Sequence, residues 1–156
     1  MLYHSNRTKR LIAIANRLCE ATGNTNDLVT AVAAEAYCDE KTGQDHIPTQ
    51  LQGMISAGAW MDAGLALVAD KLPQWKLRRL AYDEGQWHCA LSLQPDLPDW
   101  LDQAIETAHR DPSLAILSAF VEALRQLPET PRATRRPTVP HVRPTLDETI
   151  LCENFA

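Results

Sequence analysis

Trp75-Lys76-Leu77-Arg78-Arg79-Leu80-Ala81-Tyr82-Asp83-Glu84-Gly85-Gln86-Trp87-His88-Cys89-Ala90-Leu91-Ser92-Leu93 is where the chain changes character. Trp75 to Leu80 reads as a strand, and Asp83-Glu84-Gly85 reads as a turn in which Gly supplies a positive φ. The next run alternates, with Trp87, Cys89, Leu91 and Leu93 on one side and His88, Ala90 and Ser92 on the other. A period of two marks a half-buried antiparallel strand, so the two runs form a hairpin. Leu80 and Tyr82 fall out of phase with Trp75 and Leu77, and a bulge near Arg79 accounts for the slip.

Working toward the N-terminus, the pattern is helical. Pro73 ends a helix whose stripe is Met61, Leu65, Val68 and Leu72, at spacings of four, three and four. Pro48 suits the first turn of the helix before it. Gly53, Gly58 and Gly64 weaken that region, each by about 1 kcal/mol against Ala, so a break is expected near Gly58. Asp39 to Asp45 reads as a solvated loop. Upstream, a helix from Asn26 and Asp27 carries Leu28, Val32 and Ala36 with Tyr37 beside them, and Thr22-Gly23-Asn24 separates it from a first helix. That first helix has Ser5 or Asn6 as cap and Leu11, Ile14, Ala15 and Leu18 as its apolar face.

Working toward the C-terminus, Pro95 and Pro98 close the strand region. Asp96 or Asp99 is expected to cap a helix carrying Leu97, Leu101, Ile105 and Ala108. Asp111 then caps a last helix with Pro112 in its first turn, apolar through Leu114, Ile116, Leu117, Phe120, Val121 and Leu124 and therefore central to the core. From Pro128 the chain holds Pro131, Pro137, Pro140 and Pro144, with Arg132, Arg135, Arg136 and Arg143, and lacks the apolar material that offsets ordering entropy. The closing Ile150 to Phe155 is apolar enough to dock against something.

The expected fold is therefore α+β: mainly helical, with one antiparallel β-hairpin packed between helices and a proline-rich C-terminal tail. Residues 1–127 make one domain, divided into N-terminal helices (1–57) and a helix-hairpin-helices unit (58–127), and residues 128–156 make a flexible Pro/Arg-rich tail. A length of 156 residues with 45% hydrophobic content suits one domain with a real core. A net charge of -5 argues against a dedicated nucleic-acid binder, since phosphate neutralisation needs a basic excess. No stretch approaches the roughly 20 apolar residues of a membrane span, and no apolar signal core opens the chain. A cytoplasmic location is expected, with Cys19, Cys38, Cys89 and Cys152 as free thiols.

Between about Gly58 and Gln126 the sequence resembles the phage ABA sandwich domain of small phage and prophage proteins. The matching words are Trp60-Met61-Asp62-Ala63-Gly64-Leu65-Ala66-Leu67-Val68, the tryptophan-containing hairpin, and Asp111-Pro112-Ser113-Leu114-Ala115-Ile116-Leu117 running on to Ala119 and Ala123-Leu124. Helix, two strands and helix follow in that order. The departures are the helices before Ala57, the helix expected from Trp100 to His109, and the proline tail. The resemblance implies a fold, a phage-linked origin and a bacterial host cytoplasm. It brings no catalytic residues.

The chemical-looking constellations have plainer readings. His88 and Cys89 are adjacent on a strand and so point to opposite faces, which prevents a dyad. Cys38, Asp39 and His46 lack the closely spaced ligand pairs of structural zinc, so no metal or other cofactor is expected. His109 reads as a charge at a helix C-terminus. Arg7, Lys9, Arg10 and Arg17 suggest a basic face on helix one, but the following helix offers almost no base for reading DNA. Trp75 and Trp87 belong to the hairpin's buried face, while Trp60 and Trp100 are candidate surface anchors.

The expectation is a non-enzymatic protein-interaction module of phage or prophage type that modulates a host protein complex. Contact candidates are the hairpin edge with Arg78, then Trp60, Trp100, Arg132, Arg135 and Arg136. The partner is a host protein or a second copy. Two alternatives are a nucleic-acid-associated regulator using helix one and the arginine tail, and a cysteine enzyme with a low-pKa thiol.

Overall fold

A computed structural model describes residues 4–38 and 46–127. The described chain is α+β: helices α1 (His4–Glu20), α2 (Asn26–Tyr37), α3 (Thr49–Ser56), α4 (Trp60–Lys71) and α5 (Pro112–Gln126), with strands β1 (Lys76–Asp83), β2 (Gln86–Ser92) and β3 (Ile105–His109). The proline-rich tail lies outside the described residues.

The hairpin is as the alternation requires. β1 and β2 pair antiparallel from Lys76 opposite Ser92 to Asp83 opposite Gln86, with a register shift between Leu77 and Arg79. The bulge inferred from the phase slip is therefore present. Glu84 and Gly85 both have positive φ, 48° and 84°, as a two-residue turn of the twist-compatible class demands.

The helix expected over Leu97 to Ala108 does not form. Residues 94–104 run as turns and irregular chain, and Ile105–His109 is a third strand, antiparallel to β2 from Leu91 opposite Ile105 to Trp87 opposite His109. The sheet order is β1-β2-β3. Two causes outweigh the helical spacing. Pro95 and Pro98 hold the preceding chain in turns, and the far edge of β2 presents backbone groups that need partners once buried. The β-branched Ile105 and Thr107 suit the extended conformation that meets this need. Among the described strands β2 is thus central, and the outer edges belong to β1 and β3.

The hairpin is also not sandwiched between helices. α5 packs on β2 and β3, and α1 and α4 pack on α5. Cys89, Leu91 and Ile105 face α5 from the sheet, and Thr107 donates to the Ala115 carbonyl at 2.7 Å. The opposite face carries Ala90 and Ser92, too small or polar to seat a helix, and is met instead by the 94–104 segment through Ser92 and Arg78. One apolar cluster runs from Leu11 on α1 to Leu124 on α5, so the first two helices join the hairpin unit.

Helix ends follow local chemistry. Asp111 caps α5 as expected, accepting from the amides of Ser113 and Leu114 with Pro112 in the first turn. The cap of α2 is Thr25, which accepts from Leu28, and not Asn26 or Asp27. Ser5 and Asn6 already lie within α1, so neither is its cap. The break between α3 and α4 falls at Gly58, whose φ of +73° most side chains resist. Gly64, by contrast, sits inside α4 because α5 approaches there: an added Cβ would meet Ile116 Cγ2 at 3.0 Å. Met61 is exposed, and Ala63, Leu67, Val68 and Leu72 carry the buried face.

Polar ties fix the helices to one another. Asn24 Nδ2 donates to Ser113 Oγ at 2.8 Å, joining the α1–α2 turn to the start of α5. Tyr37 donates to Asp70 at 2.6 Å from α2 to α4, and Lys71 lies 3.6 Å from the centre of its ring. Burial, then the Asp70 hydrogen bond, pushes the Tyr37 phenol up to about 12.

Candidate functional site

The outer face of the sheet is organised by the bulge. In a regular strand Arg78 and Arg79 would point to opposite faces. The extra residue opposite Ala90 brings both guanidiniums to one concavity of about 520 Å³, lined by Arg78, Arg79, Ala90, Asp99, Asp102, Ala104 and Glu106.

Arg78 acts as a clamp. Its guanidinium pairs with Asp99 and Asp102 and donates to the Leu97 carbonyl at 2.8 Å. Asp102 also accepts from Ser92 Oγ at 2.8 Å, and its side chain is only 4% exposed. The Ser92 hydroxyl in turn accepts from the Gln94 amide at 2.9 Å. The turn segment is therefore pinned to β1 and β2 at several points along its length.

The clamp holds apolar residues in solvent. Trp100, between the two clamped carboxylates, is 81% exposed, and Leu101 and Leu93 are about half exposed. A Trp left so open on a well-tied segment has little backbone freedom to lose on contact, which is the profile of a binding anchor.

The other candidates are distributed differently. Trp60 is half-buried, and its indole donates to Asn26 Oδ1 at 2.7 Å, tying α4 to α2. Arg132, Arg135 and Arg136 lie outside the described residues. Arg10 donates to Glu35 at 2.8 and 3.2 Å, and Arg7 stands 3.9 Å from the same carboxylate, so half of the basic face on α1 is turned to α2. Lys9 and Arg17 are exposed.

A second hollow, about 780 Å³, lies between the end of α1, β3 and α5, and includes Cys19 and His109. His109 is on a strand and not at a helix C-terminus. Its Nδ1 accepts from the Asp111 amide and its Nε2 donates to the Ala21 carbonyl, each at 3.0 Å. Both ring nitrogens are occupied, so this imidazole is not placed to take a thiol proton.

Cys89 faces α5, and burial pushes its thiol up to about 11. It stays protonated at neutral pH and is shielded as well. Native alkylation at neutral pH is expected to label exposed Cys19 and to leave Cys89 unmodified until denaturant is added. Peptide mass mapping reads this directly, and rapid native labelling of Cys89 would revive the enzyme alternative. Among the described residues no group of three or more His, Cys, Asp and Glu side chains is placed to hold a metal ion. Nor is any described helix long and apolar enough to cross a membrane.

Asp102, Asp99 and Ser92 were not singled out by sequence. Asp99 read only as a possible helix cap and Asp102 carried no reading, and their meeting with Arg78 depends on the bulge and on the turn path of residues 94–104. No protein-family model, curated protein or solved structure matches the chain.

Proposed function

We propose that the chain is a non-enzymatic protein-interaction module of phage or prophage type, which binds and so modulates a protein complex of a bacterial host. The observation that carries the binding role is Trp100, 81% exposed beside Leu101 on a segment clamped by Arg78. Aromatic and Arg-supported anchors dominate the energetics of protein interfaces, and pre-organisation lowers the cost of using them. The phage and host assignments rest on the sequence resemblance between Gly58 and Gln126.

Against the nucleic-acid reading stand the acidic total and the Glu35 carboxylate facing Arg7 and Arg10. That reading requires affinity that falls steeply with salt.

The test is capture of bacterial host proteins by the full chain and by Trp100→Ala. The variant is expected to fold normally, because its side chain is solvated, and to bind a captured partner about 30-fold more weakly, the value of a 2 kcal/mol anchor. Equal binding by both chains would remove Trp100 from the interface, and salt-sensitive recovery of nucleic acid alone would replace this reading with the regulator.

A further inference from the structure

The outer edge of β1 is the longest unpaired edge among the described strands. α5 covers β2 and β3, and β1 extends beyond that cover. On the side facing the helices, β1 presents Leu77 at 39% and Tyr82 at 62% exposure, with half-buried Leu80 between them. The Tyr82 ring meets that of Trp87 with centroids 5.5 Å apart, extending the apolar strip onto β2. Lys76 and Asp83, both exposed, stand at the two ends of the strand.

The bulge decides what can pair here. Its extra residue lets the eight residues of β1 fill seven ladder positions, and Leu80, opposite Cys89, is the middle one. Three positions lie on either side: Lys76, Leu77 and the Arg78/Arg79 bulge before it, and Ala81, Tyr82 and Asp83 after it.

We propose that this edge pairs with the same edge of a second copy, antiparallel about a two-fold axis at Leu80, joining two three-stranded sheets into one of six strands. In that register Lys76 faces Asp83 of the second copy at both ends. Leu77 faces Tyr82, and Leu80 faces its own counterpart, all on the helix side. The pairing is self-complementary, as a two-fold interface requires.

Other registers fail on the same residues. A slip of one position sets the apolar side of one strand against the polar side of the other. A slip of two toward the N-terminus stacks Arg78 and Arg79 on their own counterparts. The opposite slip sets Asp83 against the Arg78/Arg79 bulge but leaves Leu77 and Lys76 unpartnered, with two fewer positions paired. Parallel pairing sets Lys76 against Lys76. Edge charges and a bulge ordinarily discourage strand addition, and here one register pairs every position of the edge while its end charges attract.

The edge is a different surface from Trp100, so the two readings separate. Sedimentation equilibrium of the full chain across a wide concentration range is expected to show a reversible dimer. Lys76→Asp is expected to weaken it about tenfold or more, since each substitution acts twice across the axis. The charge exchange Lys76→Asp with Asp83→Lys is expected to restore it, and Trp100→Ala to leave it unchanged. A monomer at every concentration, a dimer indifferent to Lys76→Asp, or a weakened dimer that the exchange does not rescue would each overturn the proposal. An intact dimer that captures no partner sinks the Trp100 reading alone.

Discussion

Phe120→Ala is expected to lower the free energy of unfolding by about 3–5 kcal/mol, the range for deleting a large aromatic from a closed core. Among the described residues Phe120 is the largest fully buried side chain, with no exposed surface, on the helix that meets α1, α4, β2 and β3. Four elements pack on this helix, so a hole opened in it is not readily closed by the movement of one neighbour. Domains of this size hold only about 5–15 kcal/mol in total, so the variant should be partly unfolded at growth temperature. Phe120→Leu, which keeps part of the volume, should lose about 1–2 kcal/mol. Denaturant unfolding followed by tryptophan fluorescence measures both. A loss below 1 kcal/mol for the Ala variant would mean that α5 is not the centre of the core.

That centre was legible in the sequence, and the reason is physical. Ten of the fifteen residues of α5 are buried, and a helix apolar around most of its surface has no solvated side to offer. The hairpin was legible for a similar reason, because a period of two, a Gly at the turn and a phase slip at the bulge are all local signals. β3 was not. Leu97, Leu101, Ile105 and Ala108 have helical spacing, and only the unpaired far edge of β2, a feature of the assembled sheet, turns Ile105–His109 into a strand. The same limit applies to the candidate site. Trp100 could be picked out by type alone, whereas Asp102 and Ser92 come together through a ladder register and a turn path that no spacing along the chain reports. Trp60, equally conspicuous as a residue, turns out half-buried against Asn26 because α2 and α4 pack together.

Arg78→Ala is the second large effect expected, and it bears on function as well as stability. Asp102 would keep its charge at 4% exposure with the Ser92 hydroxyl still donating to it at 2.8 Å, and stranding a buried carboxylate is costly. The loss should be about 3 kcal/mol, the low end for a buried pair, because Arg78 is itself 20% exposed and the segment can swing outward to hydrate Asp102. Asp99, at 90% exposure, should add little. The cost is therefore met locally first. Hydrogen exchange at residues 97–104 should accelerate well beyond that of α5, whose amides report global opening. Replacing both partners, with Arg78→Met and Asp102→Leu, removes the stranded charge and should recover most of the stability without restoring the clamp. The pair of variants then separates two roles of Arg78. If binding through Trp100 depends on a pre-organised segment, the double variant should be stable yet bind its partner weakly, whereas full binding by the stable double variant would show that Trp100 needs exposure alone.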